Sequence, residues 1–147
     1  MRTVEGLKTA RYAESPWKKQ KRGRGKRAEG LRYQARVGTE LARRGFDVVN
    51  GPWIEFYDKN GRGFAQPDFV VINDPDNWII VESKLSQTPT AFEQLFYKYL
   101  PLLKFLHPNV EFVPIQVCKF LRKGIDGLII EDISQACPRA TWHWLGH

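Results

Sequence analysis

Residues 67–94 read PDFVVINDPDNWIIVESKLSQTPTAFEQ, and composition alone divides this stretch into elements. Pro67–Ile72 is rich in β-branched and aromatic residues and reads as a strand; Asn73–Asn77, built of Asn, Asp and Pro, reads as a turn. Trp78–Lys84 is a further strand, and its apolar start, Trp78-Ile-Ile-Val81, predicts cover on both faces. With the turn centred near residue 75, Asp68 and Glu82 lie equally far from it and face each other across a hairpin. Period-two geometry puts Glu82 and Lys84 on one face of that strand and Ser83 on the other. Thr88-Pro89-Thr90 then opens a helix, with Glu93 three residues after Thr90 in a capping-box pattern. A hairpin running into a helix is the centre of an α/β fold.

Outward from this stretch the elements continue. Upstream, Leu31, Ala35, Val37, Leu41 and Ala42 recur at helical spacing from about Arg27 to Arg44, with Gly45 as the stop. Phe46–Val49 and Trp53–Tyr57 read as short strands, and Asp58–Gly61 as a turn in which Gly61-Arg-Gly63 takes part. Downstream, the helix runs through Phe92, Leu95, Phe96, Tyr99, Leu102 and Leu103 and is interrupted or kinked near Pro101. Glu111–Phe120 and Gly127–Ile130 are strands, and the tail through Trp142, His143 and Trp144 has no assignment. The expected architecture is an α/β sandwich around a mixed sheet.

The 147 residues allow one ordinary domain, and no apolar run approaches the length of a membrane helix. Two cysteines are too few for a disulfide-stapled fold, so a reducing cytoplasmic setting is the expectation. The net charge of +7 is unevenly spread: residues 1–44 carry +10 and the rest −3. Lys18, Lys19, Lys21, Arg22, Arg24, Lys26 and Arg27 stand close together, with Pro16, Gly23 and Gly25 among them. The reading is a basic flexible arm over residues 1–26 and a single domain over 27–147. A basic front on a mildly acidic body points to a polyanion, nucleic acid before an anionic membrane surface.

The chemistry centres on Asp68, Glu82 and Lys84. Two carboxylates at one point on a sheet repel each other unless a cation sits between them. All-oxygen ligation suits Mg²⁺ or Mn²⁺, with the Ser83 backbone carbonyl as a further ligand. Lys84 beside such an ion can orient or deprotonate water, or offset charge building on a phosphate, which equips the site for phosphodiester hydrolysis. A surface ion pair between Glu82 and Lys84 is the plainer reading. Other chemistries lack their residues: Cys118 and Cys137 are too far apart for a zinc knuckle, and no Walker loop, serine elbow or dinucleotide fingerprint occurs.

Pro67-Asp68, a 13-residue gap and Glu82-Ser83-Lys84 resemble the signature of the PD-(D/E)XK nuclease superfamily. The resemblance implies a restriction-endonuclease-like αβββαβ core and Mg²⁺-dependent cutting of DNA. Residues 82–94 look like the RecB-like and phage-type branch, in which a glutamine on the following helix and a glutamate on the first helix join the site. Gln94 matches the glutamine; Glu40, with Glu29 second, matches the glutamate. Tyr99 or Tyr97 matches a tyrosine that follows, although Tyr99 comes five residues after Gln94 where that pattern has four. DNA backbone recognition then falls to the basic arm with Arg36 and Tyr99. A homodimer is a further expectation, extending to a Holliday-junction-resolvase type within the superfamily. The alternative from another class is a non-catalytic nucleic-acid-binding module that uses the basic N-terminal arm.

Overall fold

The computed structural model describes residues 2–16, 25–125 and 127–146, with Lys26 placed by its backbone. In chain order the elements are β1 (Thr9–Ala13), α1 (Lys26–Arg43), β2 (Val48–Asn50), β3 (Trp53–Asp58), β4 (Gly61–Ala65), β5 (Phe69–Val71) and β6 (Asn77–Ser86). There follow α2 (Pro89–Gln94), a π-helical turn (Leu95–Tyr99), α3 (Leu100–Leu106), β7 (Glu111–Phe120), β8 (Ile129–Ile130), a 3₁₀ turn (Ile133–Gln135) and β9 (Ala140–His143). The fold is α/β. Its main sheet has six strands in the order β2-β5-β6-β7-β9-β8, antiparallel from β2 to β6 and parallel from β6 onward. A small antiparallel sheet, β1-β3-β4, stands apart from it.

Strand alternation sorts the core into two clusters, because successive side chains leave opposite faces of a strand. Val81, Phe69, Val71, Ile115 and Val117 join Tyr33, Val37 and Leu41 of α1. Ile80, Val70 and Phe112 join Phe92, Leu95, Leu102 and Leu103 of the second helical segment, together with Ala10, Ile54, Phe56 and Ala65 of the small sheet. The main sheet is thus covered by α1 on one face and by helices plus the small sheet on the other. The all-apolar start read at Trp78-Ile-Ile-Val81 has this cause.

The hairpin of residues 67–84 has the expected register, with Phe69 opposite Val81 and Val71 opposite Ile79. α1 begins one residue before its expected start and ends one before its expected end, followed by Gly45 at φ 84°, the left-handed region that glycine enters without strain. Thr88, not Thr90, caps α2: its side chain accepts a hydrogen bond from the Thr90 N–H, so Glu93 has no part in the cap.

Two segments differ from their reading. Thr9–Ala13, assigned to the arm, pairs along β3 from Thr9–Tyr57 to Ala13–Trp53. What holds it is a sparse apolar set, Val4, Leu7 and Ala10, packed on the core, and charge pairing across strands: Glu55 of β3 takes Arg11 of β1 at 2.9 Å and Arg62 of β4 at 2.7 Å. Gly61–Ala65, assigned to a turn, is β4. Its Gly63 backbone lies against the Phe56 ring, where a Cβ would come within 2.5 Å, so glycine here serves close packing within a strand. Lys18, Lys19, Lys21, Arg22 and Arg24 lie outside the described residues. The unassigned tail supplies β9, with Trp142 fully buried.

Phe69 is 3% exposed and fills the contact between β5 and α1, where it fits only because residue 38 is glycine. Phe69→Ala is expected to cost about 3–5 kcal/mol, read as a lowered urea midpoint with an unchanged slope.

Candidate active site at the Asp68–Glu82 pair

The β5–β6 register continued one step past Phe69–Val81 sets Asp68 opposite Glu82. Asp68 Oδ2 accepts the Ser83 N–H at 2.8 Å and the Ser83 hydroxyl at 2.9 Å. β5 begins only at Phe69, so this edge of β6 has no strand partner beyond Val81, and the Asp68 carboxylate takes the place of one. In an extended strand the N–H and C=O of a residue leave on the same side, so the Ser83 carbonyl also faces the Asp68 edge.

Glu82 is buried at 2% exposure. Burial, then the charge of Asp68 and a hydrogen bond between the two carboxyls, push Glu82 well above the usual carboxylate range. The charge of Lys84 and the hydroxyl of Tyr99, which donates to Glu82 Oε2 at 3.3 Å, pull the other way and are outweighed. Lys84 is half-buried on the same strand face as Glu82, and among the described residues no hydrogen bond or salt bridge holds its ammonium group.

Tyr99 reaches Glu82 because of the π-helical turn. In a regular α-helix a residue five positions on lies about 140° around the axis. Here the Leu100 N–H bonds the Leu95 carbonyl, an i→i+5 closure that absorbs one extra residue and keeps Gln94 and Tyr99 on one side. Pro101 gives the physical cause: it has no N–H for the Tyr97 carbonyl and crowds it. That carbonyl accepts the Val4 N–H at 2.9 Å instead. The interruption expected near Pro101 is this turn.

The candidate residues divide. Asp68, Glu82, Ser83 and Lys84 come together; Gln94 stands at the head of the π turn, its Oε1 buried and, among the described residues, without a hydrogen-bond partner. Glu40 does not join them. The face of α1 toward Asp68 carries Gln34, Gly38 and Thr39, and Glu40 lies about 200° around the helix from Gly38. Its carboxylate bonds Arg43 and Arg44, and Arg44 reaches on to Asp132 at 2.9 Å. The Arg43 bond is the main reason that the Glu40 carboxyl is held below its usual range. Tyr99, expected at the DNA surface, is 5% exposed and serves Glu82 instead; Tyr97 is the exposed one. Arg27 and Arg36 are exposed on α1.

Sequence reasoning missed three features. Lys98, half-buried in the π turn, lies within electrostatic reach of Glu82; burial and then the Arg2 charge lower its pKa, while Glu82 acts to raise it. An open cleft of about 570 Å³ leads to Asp68 between α1, the end of β2 at Asn50 and the segment carrying Gln66. Gln116 of β7 lies beside Glu82 in register. Only the position of Lys98 next to Tyr99 gave any sequence signal.

The donor types at the pair fit a hard divalent ion: two carboxylates and the Ser83 backbone carbonyl. Among the described residues no group of three or more His, Cys, Asp or Glu side chains is gathered for metal binding, so protein carboxylates would supply only part of a coordination shell. Comparison of the chain with known proteins finds no matching family model, no matching curated protein and no matching solved structure.

A raised folded-state pKa favours the protonated fold: that contribution is complete below about pH 4.5, the ordinary value, and is lost as pH rises through the folded value. Glu82→Gln, which removes the charge, is therefore expected to raise the Tm of the metal-free protein at pH 7.5 by at least ~2–4 °C, with the gap closing toward pH 4.5. Melting curves across that range check it; an unchanged or lower Tm at pH 7.5 contradicts the burial cost.

Proposed function

We propose that this protein is a metal-dependent deoxyribonuclease of PD-(D/E)XK type. The observation that carries the reading is the side-by-side placement of Asp68 and Glu82 by strand register, with Lys84 on the face of Glu82 and, among the described residues, no protein cation bonded between the carboxyls. The element order supports it. α1, then the antiparallel strands β2, β5 and β6, then a helix, then β7 parallel to β6 follow the αβββαβ plan of a restriction-endonuclease-like core, with the β3–β4 hairpin inserted. The π turn accounts for the one departure from the RecB-like pattern: the residue added between Gln94 and Tyr99 is absorbed without turning Tyr99 away.

In this reading Asp68, Glu82 and the Ser83 carbonyl hold Mg²⁺ or Mn²⁺, and the unpartnered Gln94 amide oxygen at the head of the π turn is a further candidate ligand. When bound, the ion supplies charge to the scissile phosphate and lowers the pKa of water. Ser83 fixes the Asp68 carboxylate through two hydrogen bonds, and the Tyr99 hydroxyl fixes Glu82. Lys84 brings a half-buried ammonium group to the same face, where it orients water and offsets charge on the phosphate. Substrate enters by the cleft beside α1, because Glu82, Ser83 and Tyr99 are covered and Asp68 opens onto that cleft. Arg27 and Arg36, with the basic residues before them, neutralise backbone phosphates, which suits recognition of DNA structure rather than sequence. No helix is long and apolar enough to cross a membrane among the described residues. Action in the cytoplasm, and as a homodimer on two strands or a junction, completes the proposal.

The test is a gel assay on supercoiled, linear, single-stranded and four-way-junction DNA with Mg²⁺, Mn²⁺ or EDTA. Metal-dependent cleavage is expected, and Lys84→Ala is expected to lower its rate by at least ~10²-fold while DNA binding stays within a few-fold. Salt-sensitive binding with no cutting in either metal would instead favour a nucleic-acid-binding module.

A further inference from the structure

Gln116 occupies the β7 position in register with Glu82, and Thr141 of β9 is in register with Gln116 on the other side. Residues in register on neighbouring parallel strands share a face of the sheet, with backbones about 4.8 Å apart. Gln116 and Thr141 have no exposure at all. Glu82, Gln116 and Thr141 thus form a buried polar row across the middle of a sheet whose other central positions are mostly apolar, and Gln87 closes the row by reaching the Thr141 hydroxyl.

Gln116 is the member with an unmet need. Its Oε1 accepts the Thr88 N–H at 2.9 Å, at the cap of α2. Because a backbone N–H demands an acceptor, this bond fixes which end of the amide is oxygen. Among the described residues Nε2 is left buried with no partner. A buried donor is retained only where something accepts from it, and the carboxyl group beside it in register is Glu82.

We propose that Gln116 is a positioning residue for Glu82 as a metal ligand: its Nε2–H donates to the Glu82 carboxylate when that group ligates an ion, while its Oε1 ties the same side chain to the start of α2. The inference rests on the nuclease reading for the identity of the ion. It gives the buried row a task, because one amide then links Glu82 to the helix that carries Gln94 and leads to Tyr99. An outer hydrogen-bond partner of this kind orients a ligating carboxylate.

The test is isothermal titration of Ca²⁺ and Mn²⁺ into the DNA-free protein at pH 7.5, with a Tm for each variant. Gln116→Met, close in volume but without hydrogen bonds, is expected to fold and to bind both ions about 10–100-fold more weakly than the unchanged chain. Gln116→Asn, which keeps an amide too short to span Thr88 and Glu82, is expected to weaken binding in the same direction. A folded variant of either kind that binds as tightly as the unchanged chain overturns the assignment and leaves the nuclease reading standing. An unchanged chain that binds neither ion overturns both. Failure of both variants to fold makes Gln116 a structural residue and also overturns the assignment.

Discussion

Two carboxyl groups held side by side, one of them out of water, are the constraint around which the rest of this structure is arranged. The register of β5 on β6 puts Asp68 against Glu82, and burial of Glu82 at 2% exposure removes the solvent that would screen them. The surroundings answer that repulsion piece by piece. The Ser83 N–H and hydroxyl hold one carboxylate, the Tyr99 hydroxyl reaches the other, and Lys84 and Lys98 bring positive charge within range. What remains unanswered is the charge of the second carboxyl, whose burial and nearness to Asp68 push Glu82 well above the usual carboxylate range.

The second helical segment is fitted to the same end. Pro101 denies the Tyr97 carbonyl its helical donor, the backbone widens by one residue, and the Val4 N–H bonds the carbonyl. The N-terminal segment is therefore tied to the turn that aims Tyr99. Arg2 strengthens the tie, bonding the buried Asp58 at 2.7 Å and the Gly61 and Arg62 carbonyls at the tip of the β3–β4 hairpin. Residues far apart in sequence thus converge on the position of one hydroxyl.

The two faces of the main sheet divide the work. On the helix side Glu82 and Gln116 sit deep among apolar residues, where positions are rigid and the dielectric is low. On the α1 side, the small residues Ala35 and Gly38 leave a cleft at Asp68, rimmed by the neutral amides of Gln34, Asn50 and Gln66. An ion pair at Glu40 anchors the C-terminal end of α1 through Arg44 to Asp132 rather than serving that cleft.

Local pattern was enough wherever neighbours in sequence decide the geometry. Period-two alternation, an Asn-Asp-Pro turn and equal spacing about residue 75 put Asp68, Glu82 and Lys84 together, and helical spacing with a glycine stop set α1 to within a residue. It was not enough wherever a distant partner decides. β1 exists because β3 offers it a free edge and Glu55 offers it a charge, and β4 pairs with β3 across a contact in which Gly63 lies against the Phe56 ring. Gln116 and Lys98 gained their places only when β7 was laid beside β6 and the helix was widened at Pro101. The sequence by itself determined the hairpin and the carboxylates it brings together, because both depend on a turn and a two-residue period. The tertiary structure alone decided which other side chains reach those carboxylates, because contacts across sheets and between helices depend on phase and register that no local spacing encodes.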